Sequence, residues 1–423
     1  MKAKGLAVFV LSIGILAMSF AYADAQQTVV GTWNYITDVK AVQQAVDQGG
    51  TVYLKGNFFF GGNGSVTIKK DVQIIGQGEK DSMTKIAGGC EVFKTIIPDP
   101  YSPDIPGPKI TIQNIHFQWA LRNAIDFPYS SGATITGNKF NGFRIYPYRV
   151  FNKFGGTIHG ITFGTFDVNV PHPEKRYVPG ASTGNLVIKD NEIDLTNPRP
   201  AETLGIGVMI SYTTGVTAHI SGNKINNCGH ASILTMDNFK DKDGKGDFVI
   251  SGNQIVANPK GIDEPDDWQP NGILLGGVHL TNLKMDEYVK YRVENNFIKA
   301  QGMKPRGIVV LINNAIVQNN HISIEDPTAR GIAVLGSKCR VLNNKIEGKG
   351  LCGIYMRELK DQFKDLLGYG NRLEANDFTK FNSTDGDVFI FKGAAKNIVI
   401  GESGTFNDQG SDNQIKGLKK VSQ

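Results

Sequence analysis

Residues able to do chemistry recur at positions where short strands would turn them outward. Asp126 stands in Ala124-Ile125-Asp126-Phe127, and Arg144 and Tyr146 stand in Gly142-Phe143-Arg144-Ile145-Tyr146. Strand alternation turns all three away from the apolar side. His230 and Asp237 flank the run around Ser232 to Met236, while Arg306 and Arg330 each precede a Gly-Ile pair, 24 residues apart. A cation against a carboxylate and a base beside the proton on carbon 5 are what the chemistry of acidic sugars requires. Arg144 supplies the first and His230 or Tyr146 the second, so these three are the catalytic candidates. The competing reading pairs Arg144 with Asp126 across neighbouring segments and leaves His230 lining a turn.

The longest insertion, residues 147–184, carries Tyr148, Arg149, His159, His172, Glu174, Lys175, Arg176 and Tyr177. Aromatic faces to stack on and cations for carboxylates suit a wall that binds sugar acids. His172, Lys175 and Arg176 therefore join Asp126, Arg306 and Arg330 as substrate-binding candidates. Two arginines one strand spacing apart repel unless an anion lies between them. A polyanionic ligand would serve, and so would the neighbouring Glu325 and Asp326. No cofactor is expected. Calcium needs several converging oxygens, and only Asp263-Glu264-Pro265-Asp266-Asp267 and Asp241-Lys242-Asp243-Gly244-Lys245-Gly246-Asp247 offer acids in series. The second reads as a solvated hairpin because lysines interrupt it.

The elements that position these residues are set by a repeat. Apolar-x-x-Asn-x-[Ile/Phe] occurs eight times, at Asn138, Asn191, Asn223, Asn253, Asn296, Asn320, Asn344 and Asn376, with spacings of 53, 32, 30, 43, 24, 24 and 32. About thirteen residues before the Asn of the cleanest repeats comes Gly307-Ile308-Val309-Val310 or Gly331-Ile332-Ala333-Val334. Each period thus holds three short strands. Alone they cannot bury an apolar face, but stacked at about 4.8 Å they pair every backbone group and merge into one core. The Asn is expected at a sharp bend, tolerating a left-handed conformation and bonding the same Asn one coil away. The fold class is all-β: a right-handed parallel β-helix solenoid with an N-terminal capping helix. That helix is read from the apolar spacing of Asp38 to Val46, ending at Gly49-Gly50. The outward positions Val309, Leu311, Ala333 and Leu335 make a dry surface, expected to be covered or to meet a partner. This confines a site to residues 120–280, where Asp126, Arg144 and the turn bearing His230 should line one groove roofed by part of the insertion.

The plug helix followed by GGTVYLKGNF, then VTIKKDVQIIGQG, ITIQNIHF and the Asn repeats, resembles the pectate-lyase-like β-helix superfamily over residues 30 to 410. The resemblance implies a site along the Gly-Ile-x-Val strands and spans lyases, hydrolases, epimerases and non-catalytic proteins. The Asn-Thr-Asp, Gly-Asp-Asp, Gly-His-Gly and Arg-Ile-Lys set of polygalacturonases is absent; Gly229-His230-Ala231 matches it in part. Pro171-His172-Pro173-Glu174 is similar to the Asp-Pro-His-acid motif of mannuronan epimerases, but lacks the leading Asp and has a different order. The implied function is a carbohydrate-active protein, a lyase or epimerase on an acidic, uronate-containing polysaccharide. The alternative is a non-catalytic polysaccharide-binding or structural protein of the cell surface.

The chain has 423 residues, 40% hydrophobic and 20% charged, with 50 glycines against 17 prolines. That is a globular composition rich in tight turns. Lys2 and Lys4 precede an apolar run from Leu6 to Phe20, and small-x-small sites follow at Ala21 to Ala25. Residues 1–25 read as a signal peptide, giving a secreted or periplasmic protein with no membrane span in the mature chain. Its removal takes away two lysines and one aspartate, leaving +4 of the formal +5. So mild a charge does not call for nucleic acid. Behind the signal peptide the expected units are a cap over 26–56, the β-helix over 57–400 and a C-terminal cap over 401–423. Cys90, Cys228, Cys339 and Cys352 fit no zinc spacing, and either bridges or buried thiols are compatible with export.

Overall fold

The computed structural model describes residues 26–79, 82–143, 157–164, 181–195, 204–257, 271–276, 288–302, 304–357 and 368–421. The 24-residue period is visible in one coil: Ile316–Gln318, His321–Ile324 and Arg330–Val334 are its three strands, and Arg340–Leu342 opens the next. Stacking yields three parallel sheets, with 14, 11 and 13 strands in the first, second and third among the described residues. Inward residues form columns. Ile161, Val208, Ile233, Ile273, Ile308 and Ile332 are successive register partners in the third sheet, all fully buried. The glycine before Ile161, Ile273, Ile308 and Ile332 is a packing requirement, and Ser232 takes its place before Ile233. A Cβ on Gly307 would sit 2.6 Å from the carbonyl oxygen of Gly331 and 2.8 Å from Cγ2 of Ile322.

The recurring asparagines form an unbroken ladder. The backbone N–H and Nδ2 of Asn320 both donate to Oδ1 of Asn344, at 3.0 Å each, and the same pair of bonds links every neighbour from Asn138 to Asn376. The expected bend is there, but the left-handed residue is the one before the ladder Asn: Gly137, Asp190, Gly222, Gly252, Asn295, Asn319, Asn343 and Ala375 have positive φ. The ladder Asn itself is buried, which leaves the strained turn position to a residue that faces out. Asn320→Ala removes the acceptor of two buried donors on Asn296, at about 1–3 kcal/mol per unsatisfied group. Urea unfolding is expected to show a loss of about 3 kcal/mol, and an unchanged midpoint would refute a supporting role for the ladder.

The N-terminal end is closed by a capped helix, and the C-terminal segment extends the stack. The helix Tyr35–Gln48 is capped by Asn34, whose side chain accepts from the N–H groups of Ile36 and Thr37, and it stops at Gly49 with φ 77°. It buries Val42, Ala45 and Val46 against the first coil. Its Asp38 is also buried, because Oδ1 accepts from the N–H and hydroxyl of Thr32 and Oδ2 from the N–H groups of Asn34 and Phe59. The polar tail after Gly401 continues the solenoid through Thr405–Asp408, Gln414–Lys416 and Lys419–Lys420. There a second ladder, Asn371 to Asn397 to Asn413, ties the bend between the third and first sheets. All four cysteines are free thiols, and burial pushes Cys228, Cys339 and Cys352 up to about 12, which keeps them protonated. No helix among the described residues is long and apolar enough to cross a membrane.

Candidate functional site

The register of the third sheet stacks its outward residues into two columns, one at the head of each strand and one three residues further on. One runs Glu91, Asn123, His159, Ile206, Ala231, Asn271, and then Arg306 and Arg330. The other runs Lys94, Asp126, Thr162, Met209, Leu234, Leu274, Val309 and Ala333. The second column is therefore polar on the early coils and apolar from Met209 onward, while the first turns polar again at Asn271, Arg306 and Arg330. Met209, Leu234, Val309 and Ala333 are buried although they point away from the core, in accord with the expectation that the dry surface is covered.

The polar end is a connected cluster. Glu91 holds Lys94 at 3.1 Å and Arg122 at 2.9 Å. The side chain of Asn123 hydrogen-bonds the carboxyl of Asp126, and the Oδ1 of Asn123 is buried without a partner. His159, 5% exposed, bonds the Thr162 hydroxyl through Nδ1 at 2.9 Å, and its Nε2 is buried without a partner. The free polar atoms of Asn123 and His159 belong to neighbouring coils of the same outward column. They could be satisfied by hydroxyl groups of a ligand laid along the sheet.

Desolvation sets the protonation of this cluster. It raises the Asp126 carboxyl to about 7, helped by Glu91 and opposed by Arg122 and Lys94. It lowers His159 to about 3, with Arg122 and His230 adding repulsion, and His230 to about 4. Near neutral pH the site thus holds a half-ionised Asp126 carboxyl, neutral imidazoles, and the cations Lys94 and Arg122 bridged by the Glu91 carboxylate. A carboxyl whose folded value is raised stabilises the fold at low pH, and this contribution disappears as pH rises through about 7. A histidine whose folded value is depressed contributes fully above 6.5 and loses that contribution as pH falls towards 4 and 3. Asp126→Asn is therefore expected to raise the melting temperature at pH 8 and leave it unchanged at pH 4. His159→Asn is expected to flatten the acid limb below pH 6.5. Melting curves from pH 4 to 8 check both, and parallel wild-type and variant profiles would contradict the buried-cluster reading.

Of the residues expected from sequence, Asp126 and His230 are brought to this face. Asp126 is half-buried and outward, and His230 enters the strand Ala231–Met236, with its N–H bonded to the carbonyl of Gly205 at 3.0 Å. Arg144, Tyr146, His172, Lys175 and Arg176 lie outside the described residues. The expected alignment of 142–146 with the Gly-Ile strand is corrected: the coil neighbour of Asn123–Phe127 in the third sheet is Thr157–Gly164. The register partners of Asp126 are Thr162 and Lys94. That strand lay hidden inside what reads as one long insertion, though Gly160-Ile161-Thr162-Phe163 carries the Gly-Ile signal. Glu91, Lys94, Arg122 and Asn123 are not among the site residues expected from sequence, and His159 is expected only as one residue of the insertion's wall. The signal available was position, since Asn123 and His159 precede a small residue just as Arg306 and Arg330 do.

Arg306 and Arg330 stack as expected but stand four and five coils beyond His159. Their expected carboxylate partners are engaged elsewhere: Glu325 with Lys299 and Gln301, and Asp326 with Thr328. Of the two acidic segments, 263–267 lies outside the described residues. In the other, Asp241 accepts from the N–H groups of Asp243 and Lys245 and closes a turn. No group of three or more metal-ligating side chains converges among the described residues. A depression of about 790 Å³ on the first sheet, between Asp71, Lys109, Thr134 and Asn185, is remote from these columns. Its Asp71 carboxylate already accepts from the Lys109 N–H at 2.8 Å.

A family model described as a right handed beta helix region matches residues 106–282. Among solved structures, the chain is similar to the A-module of the mannuronan C-5 epimerase AlgE6 from Azotobacter vinelandii, at 13% identity over 91% of this chain and 95% of that one, TM-score 0.34. It is similar to an alginate lyase from Paenibacillus sp., at 12% identity over 93% and 99%, TM-score 0.37. It is also similar to the surface protein and adhesin PfbA of Streptococcus pneumoniae, at 11% identity over 90% and 96%, TM-score 0.45. Likenesses this distant concern the fold alone. No curated protein matches the sequence.

Proposed function

We infer that this chain, a right-handed parallel β-helix protein of the pectate-lyase-like superfamily, is an exported protein that binds an acidic polysaccharide along its third sheet and abstracts the carbon-5 proton of a uronate. The observation that carries this reading is the cluster that sets Asp126 beside Lys94, Arg122 and the unpartnered Nε2 of His159, where burial pushes the Asp126 carboxyl up to about 7. Lys94 and Arg122 neutralise the uronate carboxylate, which makes the adjacent C–H more acidic. Asp126 in its ionised form, about half of the molecules at pH 7, or the unpartnered Nε2 of the neutral His159 then takes the proton. Expulsion of the oxygen on carbon 4 completes a lyase reaction, while reprotonation from the opposite face completes an epimerisation.

Incubation with polymannuronate, polyguluronate and polygalacturonate separates these outcomes. Ultraviolet absorbance of unsaturated ends reports cleavage, and deuterium uptake at carbon 5 from heavy water reports epimerisation. Neither signal on any polymer, with binding retained, would leave only the second reading: a non-catalytic adhesin or matrix protein. That reading is favoured by the apolar outward residues of the later coils, from Met209 to Ala333.

A further inference from the structure

The later coils carry a second polar cluster, separated from the first by apolar outward residues. Arg306 and Arg330 are register partners at the head of adjacent strands, and Arg357 leaves the coil after them. Aromatic rings fix two of the three: the Arg330 guanidinium lies 5.0 Å over the Tyr355 ring, and that of Arg357 lies 5.6 Å over Phe391. Arg357 also hydrogen-bonds Tyr355. The Nε atoms of Arg306 and Arg330 are both buried and without an acceptor. None of the three makes an ion pair among the described residues, although Asp385 is close enough to act on Cys352 in the same column. Beneath them lie Val309, Ala333 and Leu335, buried and apolar, so the cations repel one another over a surface that screens poorly. Desolvation and the neighbouring Arg330 and Arg357 charges push Arg306 down to about 10.

Three guanidinium groups, two of them held by rings, with two open buried donors and no ion pair among the described residues, are the arrangement that a bidentate anion completes. We propose that Arg306, Arg330 and Arg357 form an oxyanion site, which takes a carboxylate, sulfate or phosphate group. The five coils from Asp126 to Arg306 place it about 24 Å along the solenoid from the first cluster. It does not depend on the chemistry assigned there.

The test is thermal melting of the full chain with sodium sulfate, sodium phosphate or a trimeric oligouronate, against sodium chloride at equal ionic strength. A saturable rise in melting temperature with an oxyanion, absent with chloride, is expected from binding to the folded state. Response to sulfate or phosphate identifies a free oxyanion as sufficient, and a response to the oligouronate alone that Arg306→Gln weakens identifies a sugar carboxylate at this site and not at the first cluster. Arg306→Gln and Arg330→Gln are each expected to weaken the response at least tenfold and to leave unchanged or raise the melting temperature of the ligand-free protein, since a repelling charge is removed. The exposed Arg357→Gln gives the same loss without touching buried atoms. No saturable shift with any oxyanion, or a fall in ligand-free melting temperature in both buried variants, overturns the proposal.

Discussion

Ile332→Asp is expected to disrupt the solenoid, costing about 5 kcal/mol, the upper part of the range for an unpaired buried charge. Ile332 is fully buried and stacks between Ile308 and Ile354, so a carboxylate there has only apolar neighbours in its column. Protonation would relieve part of the charge and leave an unsatisfied polar group instead. Because each coil contacts mainly its neighbours, the damage should spread from the 300–360 coils rather than abolish all structure at once. Hydrogen exchange read coil by coil, with urea unfolding, measures this. Ile332→Val, a loss of one methylene, should cost only about 1 kcal/mol. Similar behaviour of the two variants would refute the inward column.

The second large effect is on chemistry. With a uronate polymer as substrate, Asp126→Asn should lower turnover by about 10²- to 10⁴-fold, the usual contribution of a positioned acid or base. The asparagine keeps the shape and the hydrogen bond to Asn123 while removing the proton exchange. Melting at pH 7 should not fall, because a carboxyl pushed up to about 7 is already destabilised in its charged form. His159→Gln serves as the partner measurement, separating the two candidate bases by which substitution removes the pH dependence of turnover. Full activity in both variants would remove this cluster from the reaction.

Much of the fold was legible because its repeat is local. Asn296, Asn320 and Asn344 recur at 24 residues with nothing inserted, and each is bonded to the next. The Gly-Ile pairs marked the third sheet for a steric reason, since any side chain on Gly307 would strike the coil above. The apolar outward run from Val309 to Ala333 was likewise read from alternation alone.

What only the tertiary structure decided was register across insertions. Asn138 and Asn191 are adjacent rungs despite 53 residues between them, since lengthening a loop adds little entropy to closing it. Loop length therefore does not mark where the chain rejoins the stack, and the coil at Thr157–Gly164 escaped notice. The polar cluster draws Glu91, Arg122, Asp126 and His159 from three coils, a proximity no spacing encodes. Whether Arg306 and Arg330 met Glu325 and Asp326 was equally undetermined by sequence. The structure turns those acids towards Lys299 and Thr328, because side-chain partners depend on which face of the coil each residue occupies.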